Sequence, residues 1–76
     1  MTQDEWKFTF GENLDSILKD RNMSQKELAK MCGISQGMIS DYINGFRAPN
    51  IFAIINIAYV IDVDIDELVD VGDYIE

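Results

Sequence analysis

The chain has 76 residues, of which 47% are apolar, and a formal net charge of −8 with no histidine and one cysteine. The length suits a single domain with its own core, and no apolar run reaches the ~18 residues of a membrane span, so we expect a cytoplasmic protein. The same composition excludes a zinc site, a histidine-based catalytic set and an internal disulfide, and we expect no cofactor and no small-molecule substrate.

The N-terminal residues fit two patterns. Aromatic residues alternate with polar ones over residues 6–10, as in a short strand. Thr9 and Glu12 instead form a T-x-x-E capping box, which would begin a helix at Phe10. We predict the helix, because an apolar stripe at helical spacing follows, and we expect Trp6 and Phe8 to fold back onto the domain. The stripe comprises Phe10, Leu14, Ile17 and Leu18.

A second helix is predicted to begin after Ser24, which forms an S-x-x-E capping box with Glu27. Its inward face is assigned to Leu28 and Met31, and the lone Cys32 is expected to be a small buried apolar residue. Asn22 before this helix and Gly33 after it are expected to adopt the left-handed conformation that ends helices.

Ser35 is placed to cap a third helix, whose inward face comprises Ile39 together with Tyr42 or Ile43. Residues 24–44 therefore predict two short helices joined by a tight turn. Glycine and proline mark residues 44–49 as a loop, after which Asn50 is placed to cap a fourth helix.

The fourth helix, residues 51–61, is nearly all apolar and carries two stripes at helical spacing. The first is the expected core face, formed by Ile54, Ile57, Ala58 and Ile61. The second stripe comprises Phe52, Ile55 and Tyr59 and needs cover. Three covers are open: Trp6 and Phe8, Tyr74 and Ile75 of the tail, or a second subunit.

Residues 62–76 hold seven acidic residues and no basic one, so most of the net negative charge of −8 lies at this end. We predict a left-handed Asp62, a short fifth helix capped by Asp64 and Glu67, and a buried Leu68. The acidic string of residues 62–67 lacks the glycine and the spacing of a calcium loop, which favours helix capping over metal binding. Residues 72–76 form an acidic tail.

The pattern S-Q-x-x-L-A-x-x-x-G-I-S-x-x-x-I-S-x-Y-x-N-G-x-R-x-P, which begins at Ser24 and ends at Pro49, resembles the Cro/repressor helix-turn-helix family of phage and bacterial regulators. The resemblance covers about residues 10–70. It implies an all-α, five-helix, lambda-repressor-like DNA-binding domain. We expect one domain over residues 1–76, with its core at about residues 9–71 and its helix-turn-helix at residues 24–44.

The resemblance also implies which residues contact DNA. The recognition helix would turn Gln36, Gly37, Ser40 and Asp41 toward base edges, while Gln25, Lys26 and Arg47 contact phosphates. Ser35 and Asn44 complete the expected DNA-binding set. The alternative for all of these residues is that they form only the solvated face of a small helical bundle.

Three positions depart from the family pattern. Leu18 and Ile43 stand where many members have an arginine and a glutamate that pair, which predicts an apolar contact in place of a buried ion pair. Gly37 stands where a base-reading side chain is usual and offers no contact.

The implied function is a sequence-specific transcriptional regulator, a repressor borne by a prophage or mobile element. Its partners would be a double-stranded DNA operator and a second subunit in a homodimer. The alternative is a protein-interaction module on the same fold, which binds a partner regulator or a toxin through the second stripe. A DNA mimic that uses the acidic tail is a third reading.

Overall fold

Five helices follow one another along residues 2–70, the part of the chain that the computed structural model describes. They are α1 (Gln3–Asp20), α2 (Gln25–Cys32), α3 (Gln36–Ile43), α4 (Ile51–Ile61) and α5 (Ile65–Val69). The all-α, five-helix prediction is confirmed. None of these helices is long and apolar enough to cross a membrane. No group of three or more metal-binding side chains occurs among residues 2–70.

The first helix begins seven residues earlier than predicted, and the strand pattern over residues 6–10 is wrong. The capping box that forms is Thr2 with Glu5: the Thr2 hydroxyl accepts from the Glu5 N–H at 3.2 Å, and the Thr2 N–H donates to the Glu5 carboxylate at 3.1 Å. The bond from the Thr2 N–H, aided by the Thr2 side chain, lowers the pKa of the Glu5 carboxyl. Thr9 lies inside the helix, where its hydroxyl donates to the Glu5 carbonyl.

Local caps begin the next three helices as predicted. The hydroxyl of Ser24 accepts from the Glu27 N–H at 3.0 Å, and that of Ser35 accepts from the Met38 N–H at 3.1 Å. Asn50 accepts from the Ala53 N–H at 2.8 Å. At α5 the N–H of Asp64 donates to the Glu67 carboxylate at 3.1 Å.

Left-handed residues follow four of the helices within the described range. Asn22, Gly33 and Asp62 have φ values of 55°, 72° and 56°, which confirms the three predictions. Gly45, with φ of 74°, follows α3. After α4, the Val63 N–H donates to the Ala58 carbonyl at 3.0 Å, a bond that reaches back over the left-handed residue and satisfies an exposed helix carbonyl.

The core lies where α1 packs against α3 and α5, and α4 packs against α2 and α5. Its buried side chains are Phe10, Leu14, Leu18, Leu28, Ala29, Ile39, Tyr42, Ile54, Ile57, Ala58, Ile61 and Leu68. Both predicted apolar faces of α1 and α4 are among them, except that Ile17 is only half-buried. Met31 was predicted to point inward, but it is 54% exposed. The buried side of the two-turn α2 is centred between Leu28 and Ala29, and Met31 lies about 110° away from that direction around the helix.

Polar side chains from distant parts of the chain cap the ends of three helices. The Arg21 guanidinium donates to the Ile61 carbonyl and, at 3.3 Å, to the Asp62 carbonyl at the end of α4. Asn13 donates to the Leu68 carbonyl, and Asn56 donates to the Cys32 carbonyl at 3.1 Å. A cation or an amide donor at a helix C-terminus satisfies carbonyls that lack intrahelical partners. Sequence patterns did not reveal these caps, because their partners are 24 to 55 residues apart.

The second stripe of α4 is uncovered by the described residues. Phe52 is 74% exposed and Tyr59 is 84% exposed, and Ile55 is also exposed. Of the three possible covers, Trp6 and Phe8 are excluded, because both lie within α1, where Trp6 packs against Phe10 with ring centroids 5.7 Å apart. The acidic tail of residues 72–76, with Tyr74 and Ile75, lies outside the described residues.

Candidate nucleic-acid interface

Helices α2 and α3 form the predicted helix-turn-helix, joined by the three residues Gly33–Ser35. The Ile34 N–H donates to the Ala29 carbonyl at 3.1 Å, which closes the turn over the left-handed Gly33. Helix α3 is anchored by Ile39, which is fully buried, and by Tyr42, whose ring meets Phe10 edge-on at 6.2 Å. Because Ile39 and Tyr42 are held in the core, the opposite side of α3 faces solvent.

Close backbone packing also holds α3 against α1. Gly11 of α1 is buried, and a Cβ at this position would collide with the carbonyl oxygens of Tyr42 and Ile43 at the end of α3, the latter at 2.5 Å. Only a residue without a side chain permits this distance. The sequence showed no signal for this role, since Gly11 stands in a helix without a turn pattern.

The predicted base-reading residues lie on α3 as expected from the pattern. Gln36 and Gly37 are exposed in its first turn, and Ser40 and Asp41 are half-buried one turn later. A Cβ at Gly37 would have only the Ser35 hydroxyl within 4 Å, at 3.9 Å, so the glycine is not required by packing. Gln36 offers an amide, Ser40 a hydroxyl and Asp41 a carboxylate, and these groups can discriminate between base edges by hydrogen bonding. Gly37 offers no side-chain group.

Two other residues of the predicted set are engaged in local bonds. The Ser35 hydroxyl accepts the capping bond from α3 and keeps its own hydrogen available for donation. The Asn44 amide donates to the Ser40 hydroxyl at 3.2 Å, one helical turn away. Both residues therefore help to hold α3 and the Ser40 side chain in place beside the predicted base-reading residues.

The start of α2 presents the predicted phosphate-binding groups. Gln25 is half-buried and Lys26 is exposed in the first turn, where the first backbone N–H groups have no intrahelical partner. The helix dipole makes this end attractive to anions. The Ser24 side chain already satisfies the Glu27 N–H, so the N–H groups of Gln25 and Lys26 are the ones placed for an anion.

The loop after α3 carries the third predicted phosphate contact. Arg47 is exposed, and its Nε lies 3.8 Å from Oδ2 of Asp41. Phe46 beside it is largely exposed and was not assigned a role from the sequence. The signal for it was available, because an aromatic residue between Gly45 and Arg47 is the one large apolar side chain in residues 44–49.

Cys32 lies at the end of α2 and is half-buried, less than predicted. Burial raises the pKa of its thiol above the ordinary range. Its side chain packs against the core at the end of α2.

Comparison with known proteins places the helix-turn-helix in a family. The helix-turn-helix (HTH_3) family model matches residues 14–68. Over 59 residues the chain is 34% identical to the uncharacterized HTH-type transcriptional regulator YqaE of Bacillus subtilis (strain 168). That match covers 78% of this chain and 51% of the relative, so the chain spans about half the length of the curated protein it matches.

Solved structures share the fold at lower sequence identity. An HTH_3 family transcriptional regulator from Vibrio cholerae superposes with a TM-score of 0.84 at 22% identity, over 88% of this chain and 38% of that one. The restriction-modification controller protein C.AhdI from Aeromonas hydrophila gives 0.78 at 24% identity, over 82% of this chain and 94% of that one. At these identities the likeness establishes the fold alone.

Proposed function

The chain belongs to the helix-turn-helix family, and from that premise we propose that it is a sequence-specific DNA-binding transcriptional regulator that acts as a repressor. The observation that carries the proposal is the outward polar side of α3, on a helix whose other side is locked into the core by Ile39 and Tyr42. The partner is a double-stranded DNA operator, with α3 in the major groove. The proposal covers residues 1–76 as one cytoplasmic domain and includes no catalytic activity and no cofactor.

Each side chain has a role that its chemistry suits. Gln36 can bond bidentately to adenine, Ser40 can serve several bases, and Asp41 can accept from the N4 amino group of cytosine. Arg47 and the N-terminus of α2, with Gln25 and Lys26, hold phosphates and so fix the register of α3 on the duplex. The base contacts and the phosphate contacts therefore come from different residues.

That division predicts two kinds of variant. We expect Gln36→Ala and Ser40→Ala each to cost about 1–3 kcal/mol at one base pair and to relax preference there. Arg47→Ala is expected to weaken binding to all sequences alike, since a phosphate contact carries no sequence information. The measurement is selection from a randomised duplex library, followed by fluorescence anisotropy titration of selected and unselected duplexes at two salt concentrations.

A matched control separates the Ser40 hydroxyl from its local bond. Asn44→Ala removes the donor to Ser40 but leaves the hydroxyl in place. If Asn44→Ala alters preference at the same base pair as Ser40→Ala, the hydroxyl acts through the Asn44 bond. If Gln36→Ala, Ser40→Ala and Arg47→Ala all bind as the wild type does, α3 is not the recognition helix and the proposed function is wrong.

We also propose that the second stripe is covered by the same stripe of a second copy of the chain. The evidence is the exposure of Phe52, Ile55 and Tyr59 on one side of α4, with Ile51 also exposed in the first turn of that helix. A contiguous apolar surface of this kind is costly to leave in water. Pairing two recognition helices would let a homodimer read two half-sites about one helical turn apart.

Phe52→Glu combined with Tyr59→Glu is expected to give a folded monomer, because four carboxylates would face each other across the interface. Sedimentation velocity of the wild type and the variant over a range of concentrations measures the change, and circular dichroism checks the fold. Met31→Glu is the matched control, since it places a charge on an exposed apolar residue of α2. A wild type that stays monomeric at high concentration would exclude self-association and favour a partner regulator or toxin on this surface.

A further inference from the structure

Within the proposed interface, an acidic residue lies beside the exposed arginine of the loop after α3. The distance from Arg47 Nε to Asp41 Oδ2 is 3.8 Å, and the two side chains are 55% and 41% exposed. Lys7 and Lys19 also have carboxylate partners, but both pairs lie on α1. The Asp41–Arg47 pair is thus the one, within residues 2–70, that joins a predicted base-reading residue to a predicted phosphate contact.

The backbone after α3 places the two residues together. Gly45 is left-handed, its N–H donates to the Tyr42 carbonyl at 3.2 Å, and the Phe46 N–H donates to the Asp41 carbonyl at 2.8 Å. These two bonds form a Schellman motif, which turns the chain back along the end of the helix. The Phe8 ring packs where a Cβ of residue 45 would lie, so the turn is also held from the side of α1.

We propose that Asp41 competes with DNA phosphate for Arg47 and so lowers the affinity of the protein for DNA of any sequence. The inference rests on the proposed function. In the free protein the carboxylate is the counter-ion of the guanidinium. On binding, the Nε edge of the guanidinium must leave Asp41, or the phosphate must take the edge formed by the two terminal nitrogens. Either way, Arg47 contributes less than a free arginine would.

The pair affects how firmly the protein holds DNA that offers no base contacts. Non-specific binding depends almost wholly on phosphate contacts, whereas an operator also offers hydrogen bonds to bases. Weakening one of the few cationic contacts lowers the affinity for both kinds of DNA by the same factor. An acidic protein whose phosphate-binding arginine is weakened in this way would bind random chromosomal DNA weakly. Its binding to the operator would depend on the base contacts.

Asp41→Asn tests the inference with a 24-base-pair duplex of random sequence as the probe. We expect it to raise the affinity at low salt by between about 1.4-fold and fivefold, the range that corresponds to the ~0.2–1 kcal/mol of an exposed ion pair. The slope of log affinity against log salt is expected to become steeper by up to about 0.9 per subunit. Asp20→Asn removes the same charge from the end of α1 and measures the effect of net charge alone.

The decisive comparison repeats Asp41→Asn in an Arg47→Gln background. If Asp41 acts by pairing with Arg47, the gain falls to that of Asp20→Asn. If the full gain persists without Arg47, the carboxylate acts through its own repulsion of DNA phosphates, and the inference is wrong. An unchanged or reduced affinity of Asp41→Asn also overturns it.

A readout without DNA distinguishes this failure from failure of the proposed function. The pair predicts that Asp41→Asn changes the chemical shift and hydrogen exchange of the Arg47 Nε–H in the free protein. If that change is absent, the pair does not form and the inference is wrong, whatever the protein binds. If the change is present but no variant binds any duplex at low salt, the pair forms but the proposed DNA-binding function is wrong. The proposed competition for phosphate is then wrong as well.

Discussion

Replacing Gly11 by alanine is expected to destabilise the protein by about 3 kcal/mol, the upper part of the usual range for overpacking. The added methyl group would meet the carbonyl oxygens of Tyr42 and Ile43, and backbone atoms cannot rotate away as a flexible side chain can. To admit it, α1 must move off α3, which disturbs the contact between Phe10 and Tyr42. Urea unfolding followed by circular dichroism measures the change.

Gly37→Ala is the matched control, since it makes the same substitution in a helix with open space around the new Cβ. We expect it to stabilise the protein by about 1 kcal/mol, because alanine favours helix over glycine by that amount. The two changes should therefore have opposite signs. A Gly11→Ala protein as stable as Gly37→Ala would mean that α1 and α3 are not as close as the structure has them.

Leu18→Arg is expected to cost about 3–5 kcal/mol, because it puts an unpaired charge where a side chain is now 3% exposed. For a domain of this size that is a large fraction of the whole stability. Adding Ile43→Glu is expected to recover part of the loss, since the resemblance implies that these two positions hold a paired arginine and glutamate in many relatives. Ile43 is half-buried on α3, which packs against α1.

The double-mutant cycle needs a control for charge alone. Leu14→Arg places the same cation one turn earlier on α1, at a fully buried position, and should not be rescued by Ile43→Glu. If Leu18→Arg prevents folding, recovery of the helical dichroism signal in the double variant is itself the readout. Additive effects in the cycle would show that positions 18 and 43 do not interact.

Capping signals explain why most helix boundaries were predictable and one was not. Ser24, Ser35 and Asn50 each bond to a backbone N–H three residues on, so the whole interaction is contained in four consecutive residues. At the N-terminus the chain offers two such boxes, Thr2 with Glu5 and Thr9 with Glu12. The Thr2–Glu5 box is the one that forms, because a helix that begins there is two turns longer. The added turns let Trp6 pack on Phe10 and bring Phe8 against Gly45.

The candidate interface shows the same division. Helical periodicity was sufficient to place Gln36, Ser40 and Asp41 away from Ile39 and Tyr42, and the structure places them so. Helical periodicity does not predict how the loop after α3 runs. The short distance between Arg47 and Asp41 was therefore not predicted. The roles of these residues toward DNA remain predictions.

By itself the sequence determined the number of helices, three capped starts, three of the four left-handed residues in the described range and the inward faces of α1 and α4, because each depends on neighbours within about one helical turn. Only the tertiary structure decided how far α1 extends, that Met31 faces solvent and that Gly11 packs directly against the backbone at the end of α3. It also decided that Arg21, Asn13 and Asn56 cap helices far along the chain. Contacts between residues far apart in the chain depend on how whole helices pack. That packing produces no periodic pattern in the sequence around either residue.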